Sequence, residues 1–219
     1  MSVSPSTSPQ DLSRMRTEYS GELDEETLAA TWFDQFATWF ADAVEAGLPE
    51  PNAMLLATAS AEGRPSARTV LLKGYDRRGF TFFTNYESHK GHDLTGNPRA
   101  TLVFPWYHLH RQVIVSGTVA KVPREETEEY FAVRPRGAQL GAWASPQSTV
   151  IGARADLERW LAAAEERFGD GPIEAPPHWG GFRVAPDEVE FWQGRGSRLH
   201  DRLRFVIADG ATKVERLAP

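Results

Sequence analysis

The chain has no cysteine in its 219 residues. Disulfides, thiolate-bound metals and a cysteine nucleophile are therefore excluded, and the absence fits a reducing compartment, so a cytoplasmic location is expected. No apolar run approaches the roughly 20 residues that a membrane-spanning helix requires. The opening MSVSPSTSPQDLSR lacks a basic start and an apolar stretch, so it does not read as a secretory signal. Its Ser, Pro and Thr content suggests a flexible segment over residues 1–20. Positive charge is in short supply: 24 Lys and Arg against 30 Asp and Glu leave a net charge of −6. That balance argues against a broad nucleic-acid-binding face, although a local arginine cluster can still hold a small anion. Also missing are a GxGxxG turn between strand and helix, a Walker loop and a GxSxG elbow. His89/His92 and His108/His110 have no third ligand at a recognisable spacing. They read as polar surface residues, and no metal is expected. No pair of carboxylates stands out as an acid–base couple.

What is present is ordinary globular composition, 41% hydrophobic and 25% charged. From Asp24 to Gly47, Leu28, Trp32, Phe36, Trp39, Phe40 and Val44 recur at steps of three and four, which predicts an amphipathic helix. The period then changes. AMLLATAS, SARTVLLKGY and FTFFTN are short apolar runs separated by EGRP and DRRG turns, the pattern of an antiparallel meander. ESHKGHDLTGNP predicts a short helix closed by Gly96-Asn97-Pro98, and PREETEEYFAVRP a second one, with acidic residues in its first turn. A longer helix is predicted from about Thr149 to Phe168. Further strands are ATLVFPW, RQVIVSGTVAKV, GGFRV, EVEFWQ, LRFVIA and TKVERLA. Seven to nine short strands joined by tight turns, with three or four inserted helices, favour an antiparallel sheet or barrel of mainly β, α+β character. With no linker after residue 50, residues 21–219 read as a single domain.

The chemistry-bearing residues are cations beside aromatics. Arg68 and Lys73 lie five apart in one predicted strand, so they face opposite sides unless a bend intervenes. Lys90 sits near the start of a predicted helix, where free N–H groups and an ammonium suit a phosphate. Tyr130 and Arg134 are four apart on a predicted helix, and a hydroxyl beside a guanidinium can grip a second phosphate. Each of these taken alone is more simply a solvated surface charge; their number makes phosphate binding competitive.

Near the C-terminus, EFWQGRGSRLHDR gathers two rings, a histidine and three arginines between Glu190 and Arg202. Val189-Glu190-Phe191-Trp192-Gln193, then four residues, then Arg198-Leu199-His200-Asp201-Arg202, resembles the signature of the pyridoxamine 5′-phosphate oxidases. RTVLLKGYD, FFTNYESHKGHDL, NPRATLVFPW, RQVIVSG, YFAVRPRGAQLGAWAS, WGGFRV and the terminal ERLAP resemble the same family, in its order. The resemblance implies an FMN-binding antiparallel split β-barrel, a homodimer, and one FMN in each of two clefts built from both subunits. It implies that Arg68, Thr69, Val70, Leu71, Leu72 and Lys73 run along the flavin, with Phe83, Thr84, His89, Lys90, Gln112, Gln147, Ser148, Trp192 and Arg202 as further cofactor contacts. The substrate phosphate falls to Lys73, Tyr130 and Arg134. Arg198, Leu199 and His200 lie at the substrate ring, with Arg198 and His200 as the catalytic pair, and Arg16 and Tyr19 close over the substrate. The implied reaction oxidises pyridoxamine or pyridoxine 5′-phosphate to pyridoxal 5′-phosphate, with O2 as acceptor. Two positions depart from the family pattern: His89 stands where many members have arginine, and Ala138 where many have serine. Arg195 is left as surface. The alternatives are a flavin oxidase of the same fold acting on another substrate, such as a phenazine precursor, and a non-catalytic FMN- or pyridoxal-phosphate-binding protein.

Overall fold

The computed structural model describes residues 17–208 and 210–219. Nine strands form one antiparallel sheet: β1 Ala53–Ala59, β2 Pro65–Leu71, β3 Gly74–Asp76, β4 Gly79–Asn85, β5 Arg99–Trp106, β6 Arg111–Lys121, β7 Trp179–Gln193, β8 Asp201–Ala208 and β9 Ala211–Arg216. The order is β2-β1-β5-β6-β7-β4-β3, with β8 on β7 and β9 on β8. The longest strand, β7, explains the split. Its first half pairs with β4 and its second half with β8, while β6 lies along the other side. Where β6 crosses between these halves its register shifts at Ser116/Gly117, and a side chain on Gly117 would run into the Ala185 carbonyl oxygen. The sheet is thereby curled rather than flat, as expected of a split barrel.

Five α-helices occur among the described residues: α1 Trp32–Glu45, α2 His89–Gly96, α3 Arg124–Ala132, α4 Arg136–Ala144 and α5 Arg154–Phe168. Helix α1 starts later than its apolar spacing predicts. Asp24 accepts from the Thr27 amide and closes a separate turn, and Thr31 is the true N-cap, accepting from the Asp34 amide at 3.1 Å. Its aromatic face drives Phe36 and Trp39 into the barrel, against Phe80, Phe104 and Phe191. Helix α5 also starts later, at Arg154, where Asp156 turns back to accept from the Ala153 amide. Helix α4 has no clear periodicity in the sequence. It joins α5 in a second, smaller apolar cluster built on Phe131, Leu140, Ala164, Ile173, Ala175 and Trp179. Trp179 opens β7 as well, so it ties this helical layer to the sheet. Among the described residues no helix is long and apolar enough to cross a membrane, and no cluster of metal-ligating side chains occurs.

Candidate functional site

Between the edge strand β2, the strand β4 and the helical layer lies a cavity of about 720 Å³, within the range of small-molecule sites. It is lined by cations and rings together: Arg68, Lys73, Lys90, Tyr130, Arg134 and Trp179 are all on its wall. Thr69, Val70 and Leu71 line it from β2, whose outer edge pairs with no other strand among the described residues. Phe83, Thr84 and Gln147 complete the side facing Lys90. Leu72, expected beside them, is instead buried in the main core and absent from the lining.

Arg68 and Lys73 share this cavity because the strand does not continue through both. β2 ends at Leu71, the Leu72 amide donates to the Asn52 carbonyl, and the Lys73 amide donates to the Thr81 carbonyl as the chain turns into β3. Tyr130 and Arg134 also converge, yet not as neighbours on one helix. Helix α3 ends at Ala132, and Arg134 lies beyond its cap, just before Pro135. There its guanidinium lies 4.4 Å from the Trp179 ring centre and donates to the Ala138 carbonyl at 2.9 Å. Phe83 stacks on Tyr130 with ring centres 4.1 Å apart, and the Lys73 ammonium sits 6.0 Å from the same tyrosine ring.

The electrostatics of the cavity are one-sided. Lys90 is 8% exposed, and its ammonium donates to Thr84 and Ser88 hydroxyls at 3.2 Å and to the Gln147 side-chain oxygen at 3.1 Å, all neutral groups. Burial, reinforced by the nearby Arg68 charge, pushes its pKa down to about 8. Burial likewise lowers Arg134, whose Nε is buried without a hydrogen-bond partner among the described residues. Among those residues no carboxylate reaches ion-pairing distance of Lys73, Lys90 or Arg134; Arg68 alone has Asp93, at 3.8 Å. Asp93 is held below the usual carboxylate range. Burial opposes this, but bonds from Thr58 and Ser66 and the charges of His89 and Arg68 outweigh it. His89 itself points away: it is largely exposed, 3.6 Å from Asp93, and does not line the cavity. Ser148 is exposed and also outside the lining.

The other expected residues gather elsewhere. Gln112 and Trp192 line a separate cleft with Tyr19, His110 and Arg111, and Arg198 and His200 line another with Tyr19. None of these residues lines the cavity that holds Lys90 and Arg134. Here the rings dominate: Trp192 to His200 is 4.7 Å, Tyr19 to His110 4.4 Å and Tyr19 to His200 5.8 Å between centres. Tyr19 can approach because Gly194 lies beneath it; a Cβ there would stand 2.5 Å from the tyrosine ring. Ser197 and Arg198 both adopt positive φ, 55° and 60°, and this left-handed pair pushes Arg198 and Leu199 out from the β7–β8 connection. Arg202, expected at the cofactor, holds both Glu190 oxygens at 2.7 and 3.0 Å and the Ala218 carbonyl at 2.9 Å. Arg16 lies outside the described residues. Arg195, assigned no role from the sequence, donates its backbone N–H to His200 Nδ1 at 3.1 Å.

Comparison with known proteins gives the chain's family and fold. Residues 40–168 match the family model described as pyridoxamine 5′-phosphate oxidase, and residues 179–219 that of the pyridoxine 5′-phosphate oxidase C-terminal dimerisation region. The pyridoxine/pyridoxamine 5′-phosphate oxidase of Salinispora arenicola is 59% identical over the full length of both chains. That of Saccharopolyspora erythraea is 57% identical, again over the full length of both. Among solved structures, PhzG from Burkholderia lata, in complex with tetrahydrophenazine-1-carboxylic acid, superposes with a TM-score of 0.86 at 28% identity, covering 92% of this chain and 100% of that one.

Proposed function

Because this chain belongs to the pyridoxamine 5′-phosphate oxidase family, we propose that it converts pyridoxamine or pyridoxine 5′-phosphate to pyridoxal 5′-phosphate with FMN as cofactor. The amine, water and O2 give the aldehyde, ammonia and hydrogen peroxide; the alcohol and O2 give the aldehyde and peroxide. The observation that carries the reading is the set of cations without carboxylate partners around one cavity, Lys73, Lys90 and Arg134. A buried cation such as Lys90, or a half-buried one such as Arg134, is costly unless an anion supplies the counter-charge. A phosphorylated cofactor and a phosphorylated substrate supply two, and the exposed Lys73 is free to reach the second.

The residues present fit FMN. Lys90, Thr84 and Gln147 already form one hydrogen-bonded group whose only full charge is positive, and Arg68 stands beside it. These four would hold the cofactor phosphate, with the free edge of β2 along the ring system. FMN, when bound, accepts the two electrons lost by the substrate carbon. The protein's part is positioning and charge. Lys73, Tyr130 and Arg134 would hold the substrate phosphate, a grip remote from the reacting carbon whose binding energy orients it. Arg198, thrust out by its left-handed backbone, would lie over the substrate ring, while Trp192 would wall the cofactor and Tyr19 the substrate. His200, whose Nδ1 accepts from Arg195, holds its proton on Nε2 when neutral and offers it to the substrate side.

Since a single chain keeps the two residue sets in separate cavities, a homodimer in which one subunit supplies the cations and its partner the Trp192–His200 wall completes each site. The reading is tested by purifying the protein, recording a flavin spectrum, and adding pyridoxamine 5′-phosphate under air. Pyridoxal 5′-phosphate and peroxide should form in equal amounts. Bound flavin with neither product would overturn the oxidase while leaving the fold intact. Oxidation of a phenazine precursor is the second reading, prompted by the superposition on PhzG; Lys73, Tyr130 and Arg134 around one cavity favour a phosphorylated substrate instead.

A further inference from the structure

His200 and Tyr19 stand on different parts of the chain, and both are traceable to one buried carboxylate. Asp201 is 5% exposed and accepts three bonds. The Leu23 amide donates to it at 3.0 Å, Arg216 at 2.8 Å and the Arg195 guanidinium at 3.4 Å. The first bond fixes the segment that carries Tyr19 over Trp192 and His200. The third fixes Arg195, which also reaches Glu22 at 2.8 Å, and whose backbone N–H donates into His200 Nδ1. A nitrogen that accepts carries no proton, so this chain of contacts selects the Nε2–H tautomer of His200. Arg216 has a second anchor in Glu25 at 2.7 Å, and so does not depend on Asp201 alone.

We infer that Asp201 is a positioning residue for the reaction: through Arg195 it sets the tautomer and orientation of His200, and through the Leu23 amide it holds Tyr19 in place. A group two contacts from the His200 ring can matter this much because the ring and its proton must be aligned within a fraction of an ångström. The catalytic half of this inference rests on the oxidase reading above; the tautomer half does not.

The test uses the FMN-loaded enzyme labelled with ¹⁵N-histidine, with His200 assigned by the signal lost in His200→Asn. Long-range ¹H–¹⁵N correlation should show wild-type His200 protonated at Nε2 and bare at Nδ1. In Asp201→Asn and in Arg195→Ala the two ring nitrogens should move towards the averaged shifts of a free imidazole, while Arg195→Lys should retain more of the wild-type pattern. Turnover of pyridoxamine 5′-phosphate should fall about tenfold to a hundredfold in kcat/KM, with flavin absorbance and melting temperature monitored alongside. Unchanged His200 shifts in Asp201→Asn, or a wild-type ring protonated at Nδ1, would sink the inference. Should Asp201→Asn fail to fold, Arg195→Ala decides, since its side chain is 40% exposed and its loss leaves the Leu23 anchor intact. If the wild type oxidised neither substrate, the oxidase reading would fail while the ring shifts still judged the tautomer.

Discussion

The cavity and the wall are both rich in arginine and aromatic rings, yet their charges are treated oppositely. Around the wall, Arg195, Arg202, Arg204 and Arg216 each find a carboxylate. Around the cavity, Lys73, Lys90 and Arg134 meet hydroxyls, carbonyls and ring faces instead. On the wall the paired guanidiniums are structural: they close the β7–β8–β9 corner and leave rings to face outward, whereas on the cavity Arg68 keeps Asp93 at 3.8 Å. Cations without counter-charges are free to pair with an external anion. Arg198 is the exception on the wall: among the described residues it forms no ion pair, although Glu18 lines the same cleft. If the contrast separates residues that bind from residues that build, experiment can break it.

The largest effect is expected from Arg198. Arg198→Ala should reduce kcat/KM for pyridoxamine 5′-phosphate by about a hundredfold or more, with flavin retention unchanged in absorbance titrations. Equal loss of both would place Arg198 with the cofactor. A companion experiment tests whether wall and cavity belong to one site across two subunits. Homodimers of Arg134→Ala and of Arg198→Ala should each be nearly inactive. Unfolding and refolding them together gives mixed dimers in which one site carries both lesions and the other none, so about a quarter of wild-type activity should return. No recovery, with mixed dimers demonstrated by mass spectrometry, would mean that each site draws on a single chain.

Lys90 ranks next, with a sign that can be worked out. Its folded-state pKa, about 8, lies below the ordinary 10.5, so between these values the unfolded chain binds more protons. The flavin-free protein should therefore gain stability as pH rises through that window. Binding of FMN should run the other way, weakening above pH 8 towards a limit of about tenfold per pH unit as the ammonium is lost. Lys90→Met should bind FMN more weakly at pH 7 and flatten the slope. Fluorescence titration at several pH values reads both, and an equal slope in the variant would remove Lys90 from the phosphate site.

Much of this architecture is legible in the chain, and the failures have specific causes. The β alternation and turn residues mark the strands, and the spacing of Trp192 to Arg202 marks the wall, because both are local. Helix α4 escaped because RGAQLGAWA follows Pro135 directly and carries two glycines, masking its period. Arg134 reads as a helical neighbour of Tyr130, but Pro135 disfavours helical backbone at the residue before it, and the guanidinium reaches the cavity from outside the helix. The convergence of Arg68 with Lys73 depends on hydrogen bonds to Asn52 and Thr81, and Asp201 depends on Leu23, 178 positions away. No local pattern encodes contacts of that range.

The smallest effect is expected at Arg202, and it is the sharpest test of the contrast. The family resemblance gives this residue to the cofactor; the structure gives its guanidinium to Glu190 and to the Ala218 carbonyl. If the pairing defines its role, Arg202→Met should behave as the loss of a partly exposed ion pair, about 1 kcal/mol at most. For a chain of this size that lowers the melting temperature by no more than about 4 °C, with the FMN dissociation constant changing less than about threefold. A tenfold loss of FMN affinity at unchanged melting temperature would mean that Glu190 holds Arg202 in place for the cofactor. Wall and cavity would then differ in how their cations are held before binding, and no longer in what those cations are for.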